Sequence, residues 1–209
     1  LFQACLKKRP FNLFHRANLN LRQNRDVLRT FGNHVTWETP FPDLMKKSLL
    51  DIVGAVKPSA RSAKILEPGD ISRLDTGYDL IYLDPPYVGN SKSSEDYLMR
   101  YHFLEGFSNY PIWGREINKS SPINALKSRA YMSEWQNKSM FREKLFDLIH
   151  AHRHSIVVLS YLAGAYPSME EITAHFKKNF RSVRVLKKDL NHAMAKETKV
   201  ELLFIGSNI

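Results

Sequence analysis

The chain has 209 residues, 43% of them hydrophobic and 11% aromatic, and 31 Lys+Arg against 21 Asp+Glu give a formal net charge of +10. That is enough apolar material to bury a sizeable core, yet the apolar runs are strand-sized and fall short of the roughly 20 residues a membrane helix needs, which excludes a membrane-embedded protein. The single cysteine, Cys5, cannot form an internal disulfide and fits a reduced, cytoplasmic setting.

Leu1 to Lys7 has a helical pattern that Arg9-Pro10 ends by removing a donor. Residues 10–40 mix Asn, Arg and Phe around a Phe31-Gly32-Asn33 turn signal without clear period, which predicts an irregular or hairpin-containing element. From Asp43 to Val56, Leu44, Ser48, Leu49, Ile52, Val53 and Val56 recur at helical spacing. Lys64-Ile65-Leu66 predicts a short strand leading to Gly69-Asp70, and Asp79 to Leu83 a buried strand.

Val88 to Arg129 is a long stretch rich in Ser, Asn, Gly and aromatics, of a kind uncommon unless it serves a function. It is either a lid over a bound ligand, with Tyr97, Tyr101 or His102 in reach, or an insertion that packs the surface. Met132 to Ile149 predicts a helix, Ser155 to Leu159 a buried strand ending at Ser160-Tyr161, and Met169 to Phe176 a helix started by Pro167-Ser168. Ser182–Leu186 and Lys199–Ile205 close the sheet as an antiparallel pair. The alternation and the short connections predict an α/β fold with a doubly wound sheet.

The charge is concentrated. Residues 7–29 hold seven basic residues against Asp26 alone, and residues 175–199 hold eight against Asp189 and Glu197, so two basic blocks flank a nearly neutral centre. Such blocks suit phosphate contacts on both sides of a duplex, or form solvated surface. His150, His152 and His154 have a period of two that could ligate a metal in an extended segment, or could mark a helix C-terminus facing the negative end of the dipole. Ser160-Tyr161 either lines the ligand pocket or finishes the core edge.

Asp84-Pro85-Pro86-Tyr87 follows the apolar run Tyr78–Leu83 and so sits at a strand exit, where open α/β sheets place their ligands. The two prolines give up backbone donors, which leaves the Asp84 carboxylate and the neighbouring carbonyls as acceptors beside the Tyr87 ring. A rigid group of acceptors next to an aromatic face suits a flat base bearing an exocyclic amine.

This tetrapeptide resembles the catalytic motif of amino-methylating DNA methyltransferases, specifically the Dam-like adenine-specific class; cytosine-N4 enzymes usually carry Ser in its first position. Glu67-Pro68-Gly69-Asp70-Ile71 resembles the segment in which that family places an acidic residue near the adenine of S-adenosylmethionine. Phe11–Asn18 with Thr30–Asn33, Tyr97–Phe103 and Val200–Ile205 resemble further family stretches. The resemblance implies a Rossmann-like methyltransferase sheet with an antiparallel final strand. It implies that residues 1–42 belong to a DNA-recognition region and 43–209 to a catalytic region with a lid at about 88–129. It further implies methyl transfer from S-adenosylmethionine to a flipped adenine in duplex DNA, without a metal. In those roles Asp84, Pro85, Pro86 and Tyr87 hold the target, and Asp70, Ile71 and Asp84 face the donor. Arg16, Asn18, Lys177, Lys178, Lys187 and Lys188 hold DNA.

One family feature is missing: no Gly-x-Gly donor turn occurs, the nine glycines being scattered singly. The chain therefore reads as part of a longer methylase that lacks the first strands of its sheet, with a donor-binding half or second subunit as partner. Two other classes stay open. One is a non-catalytic DNA-binding or regulatory piece of a split or degenerate methylase. The other is a methyltransferase for RNA or protein glutamine, in which Asn usually replaces Asp84.

Overall fold

The computed structural model describes residues 1–8, 38–58, 62–64, 66, 69–88, 97–127, 134–190 and 199–208. They fall into two compact units, Leu1–Glu67 with Tyr97–Lys127 and Pro68–Asp96 with Ser128–Ile209.

In the first unit, α1 (Phe2–Lys8) lies against α2 (Phe41–Ala55), with the Lys7 ammonium 2.9 Å from Asp51. Helix α2 starts with Pro in its first turn, where a missing donor costs nothing. Its expected apolar face is only partly used: Leu44 and Ser48 are buried, while Leu49, Val53 and Val56 are at least 60% exposed. The 88–129 stretch is more regular than its composition suggests, forming α3 (Tyr97–Ser108), which kinks at Tyr101, and α4 (Tyr110–Glu116). Phe103 packs edge-on to Trp113 with ring centroids 5.6 Å apart. A Cβ added to Gly106 would lie 2.0 Å from the Trp113 indole, so only glycine lets the two helices approach this closely.

The second unit is an α/β layer pair with a four-stranded mixed sheet in the order β1-β2-β4-β3, formed by β1 (Leu80–Leu83), β2 (Ile156–Leu162), β3 (Ser182–Leu190) and β4 (Lys199–Ser207). β1 and β2 run parallel, with Leu80 opposite Ile156 and Leu83 opposite Leu159. β4 is antiparallel to both β2 and β3, so the expected closing antiparallel pair is present. Helix α5 (Lys138–Ala151) crosses from β1 to β2, and α6 (Met169–Asn179) joins β2 to β3. Asn137 caps α5 by accepting from Ser139 and Met140, and Ser168 with Glu171 closes a capping box on α6.

Phe141, Leu145, Leu148 and Ile149 of α5 and Ile172 and Phe176 of α6 share one core with Ile81, Leu83, Val157, Leu159, Tyr161, Leu202 and Phe204. All these strand residues lie on one sheet face, because side chains alternate along each strand. The helices therefore cover a single face, and the second helix layer of a doubly wound sheet is not formed by the described residues of this unit. β1 is correspondingly half-buried rather than buried on both faces, with Leu80 53% and Tyr82 57% exposed. The expected strand at 64–66 is not seen at Lys64 or Leu66, which belong to no strand among the described residues; Ile65 lies outside the described residues. Of the helix expected from Met132, residues 134–136 are helical, Asn137 interrupts it with a bend, and α5 runs on from Lys138 with Asn137 as its cap. No helix among the described residues is long and apolar enough to cross a membrane.

Candidate functional site at the exit of the first strand

Asp84 leaves the C-terminal end of β1, Pro85, Pro86 and Tyr87 are half-buried, and Val88 is buried. Val88 is pinned by an antiparallel bridge to Tyr166, whose N–H donates to the Val88 carbonyl at 2.9 Å. The Tyr161 hydroxyl donates to the Tyr166 carbonyl, so the segment after β2 is tied both to the strand it leaves and to the turn after β1. These ties hold the Asp-Pro-Pro-Tyr turn against β2.

Tyr87 packs edge-on against Tyr161, with centroids 5.7 Å apart and planes at 88°. Tyr161 in turn stacks on Phe141 at 6.4 Å, and Phe141 meets Trp135 edge-on at 5.8 Å. The row of rings ends at Asp70, because Trp135 Nε1 donates to Asp70 Oδ1 at 3.2 Å. The two motifs singled out in the sequence are thus joined through the core by four aromatic side chains.

Partial burial pushes the Asp84 carboxyl above its ordinary range, and the Glu201 carboxylate adds to the shift. The Tyr87 phenol is also pushed up, first by burial and then by Asp84, Glu201 and Tyr82, with the Ser160 hydroxyl acting the other way. Neither Asp84 nor Glu201 forms an ion pair among the described residues. Two carboxylates therefore face one site without a cation, in a chain whose net charge is +10.

Asp70 has a different environment. It caps the short 3-10 turn Ile71–Arg73 by accepting from Ser72 N–H at 3.1 Å, and Lys144 Nζ lies 3.0 Å from its Oδ2. Burial alone would raise this carboxyl, but the hydrogen bonds from Ser72, Lys144 and Trp135 outweigh it and hold the group well below the usual carboxylate range. Glu134, at 2.7 Å, and Asp70 together raise Lys144. Of the four lone-pair sites on a carboxylate, three on Asp70 are taken within the chain. Ile71 beside it is 45% exposed.

Among the DNA-contact candidates, Lys177 and Lys178 are exposed in the last turn of α6, and Lys187 and Lys188 are exposed on β3, the sheet's edge strand. Lysines also suit those places for structural reasons, offsetting the helix dipole and discouraging edge pairing. Arg16 and Asn18 lie outside the described residues. His150 and His152 end α5, the arrangement expected of a helix terminus, and no group of His, Cys, Asp and Glu among the described residues could hold a metal ion. Ser160 and Tyr161 lie inside β2 and are buried; Tyr161 meets Tyr87, while Ser160 donates to Glu201 at 2.7 Å.

The sequence did not point to Trp135, Lys144, Tyr166 or Glu201. Glu201 alone carried a signal, a carboxylate within the apolar strand Val200–Ile205. No protein-family model, curated protein or solved structure matches the chain.

Proposed function

We propose that this chain is the catalytic part of an adenine-specific DNA methyltransferase, acting on an adenine flipped out of duplex DNA. The observation that carries the reading is the Asp84–Tyr87 turn at the end of a parallel strand: an exposed carboxylate, its pKa raised by partial burial and by Glu201, with no cationic partner among the described residues, a Pro85 carbonyl beside it, and an aromatic ring braced from behind by Tyr161. Unpaired acceptors next to a fixed ring face suit an exocyclic amine, which brings two donors and a flat surface. S-adenosylmethionine supplies an activated methyl group. Asp84 and the Pro85 carbonyl accept the amine hydrogens and so direct its lone pair, while Tyr87 stacks on the base. Positioning is the chemistry asked of the chain. The Rossmann-like methyltransferase sheet belongs to the same reading, which the parallel β1–β2 pair and the antiparallel β4 support.

The runner-up is a DNA-binding or regulatory piece of a split or degenerate methylase. It is favoured by the absence of any Gly-x-Gly turn in the 209 residues and by the commitment of Asp70 to Ser72, Trp135 and Lys144. Transfer of labelled methyl from S-adenosylmethionine to duplex DNA separates the two. The methylase reading expects label on the adenine amine that is lost in Asp84→Ala, in the chain alone or with a donor-binding partner. Calorimetry bears on the partner: micromolar donor binding by residues 1–209 alone would show that none is needed.

A further inference from the structure

The sheet has two edges, and they differ. β3, at one edge, carries Arg184, Lys187 and Lys188, charges that discourage another strand from pairing there. β1, at the other, reads Leu80-Ile81-Tyr82-Leu83; it holds no charge and no proline, and its shortness is its one defence. Ile156 N–H donates to the Asp79 carbonyl at 2.9 Å, and Leu80 stands opposite Ile156. In a parallel ladder the N–H and C=O of one residue point to the same side, and successive residues alternate. Ile81 therefore faces β2, while the backbone groups of Leu80 and Tyr82 point away from it, where no strand among the described residues pairs with them. Two donors and two acceptors are thus left along an apolar edge, beside side chains that are 53% and 57% exposed.

We propose that this edge pairs with the same edge of a second copy of the chain, antiparallel, about a two-fold axis at Ile81. The edge is complementary to itself. About that axis Leu80 lies opposite Tyr82 of the second copy and Tyr82 opposite its Leu80. Each pair exchanges two N–H···O bonds, so every outward group on both edges is used. The exposed leucine and tyrosine side chains become cross-strand pairs, and Ile81 meets its counterpart on the core face. No like charges fall opposite each other, since Asp79 lies opposite Leu83 and Asp84 opposite Tyr78. Pro85, which has no N–H to give, ends the ladder. Each Asp84 turn then borders Tyr78 of the other copy, and the two sheets run on as one. An interface this short makes a reversible dimer.

Sedimentation velocity over a concentration series, with backbone amide exchange followed by NMR at the same concentrations, tests the pairing. The unsubstituted chain is expected to pass from monomer to dimer. The Leu80 and Tyr82 amides should gain protection in step, and those of the β3 edge should not. Leu80→Lys and Tyr82→Lys should each weaken the dimer roughly tenfold or more, because the two-fold axis places every lysine at the seam twice. Both side chains are exposed, so urea unfolding of the dilute variants should match the parent. Leu49→Lys, which interrupts the exposed apolar face of α2, should leave the dimer intact. A chain that stays monomeric at every concentration overturns the proposal. So does a dimer that survives both lysine substitutions on β1, whether or not Leu49→Lys breaks it. Protection of Leu80 and Tyr82 already in the monomer would show that another segment of the chain fills the edge, with the same consequence.

Discussion

Asp70 and Lys144 are 74 residues apart in the chain and meet at 3.0 Å, tying the turn before β1 to the crossing helix α5. The native carboxyl sits below its unfolded value, so the stability these bonds supply is fully present above about pH 4 and is lost as pH falls through the native value. Asp70→Asn should cost about 2 kcal/mol at neutral pH, Lys144 keeping Glu134 as a partner. Urea unfolding of both proteins from pH 2 to 7 checks this: their stabilities should converge in acid.

Elements specified by neighbouring residues were legible in the sequence. Pro167-Ser168 announces the start of α6, and the apolar run before Asp84 announces β1, because helix starts and strand exits are local chemistry. What escaped depends on register and on packing between distant segments. Nothing near Glu201 in the chain shows that Ser160 will be its diagonal neighbour, and nothing near Asp70 names Trp135. The helices α3 and α4 were hidden because they pack on each other through aromatic rings, with Phe103 and Trp113 folded over Gly106, while the composition of the stretch reads as loop. Helix α2 shows the limit of periodicity: it announces a helix with an apolar face, and has no means of stating how much of that face is covered.

The basic block of the second unit can be tested by salt. If Lys177, Lys178, Lys187 and Lys188 each touch a phosphate, replacing all four by Gln should weaken duplex binding and reduce the slope of log affinity against log salt by about 0.9 for each phosphate no longer neutralised. Fluorescence anisotropy with a labelled duplex, at salt concentrations from about 50 to about 200 mM, measures it. An unchanged slope assigns these lysines to dipole compensation and edge protection.

His152 is 2% exposed, and neither ring nitrogen has a hydrogen-bond partner among the described residues. Burial lowers its pKa below the unfolded value of about 6.5, so its neutral form is favoured by folding and stability declines as pH falls from about 6.5 through the native value. His152→Leu replaces an unsatisfied polar ring with an apolar side chain and should stay within about 1 kcal/mol of the parent at pH 8. Melting temperatures at pH 5.5 and 8 should differ less in the variant than in the parent.

Asp84 carries the opposite sign. Its native carboxyl lies above the unfolded value, because of burial and Glu201, so ionisation opposes folding and stability declines as pH rises from about 4 through the native value. Asp84→Asn cannot ionise, and above that window it should be at least as stable as the parent by urea unfolding. Asp84→Ala removes the acceptor that orients the amine, so methyl transfer should fall by roughly 10²–10³-fold, the usual cost of removing one preorganised polar group. Duplex affinity, carried by phosphate contacts, should hold. Loss of function without loss of stability marks a residue placed for chemistry at the expense of the fold. If both Asp84 variants instead unfold more readily at neutral pH, the carboxylate is there to cap the turn after β1, and the catalytic assignment fails.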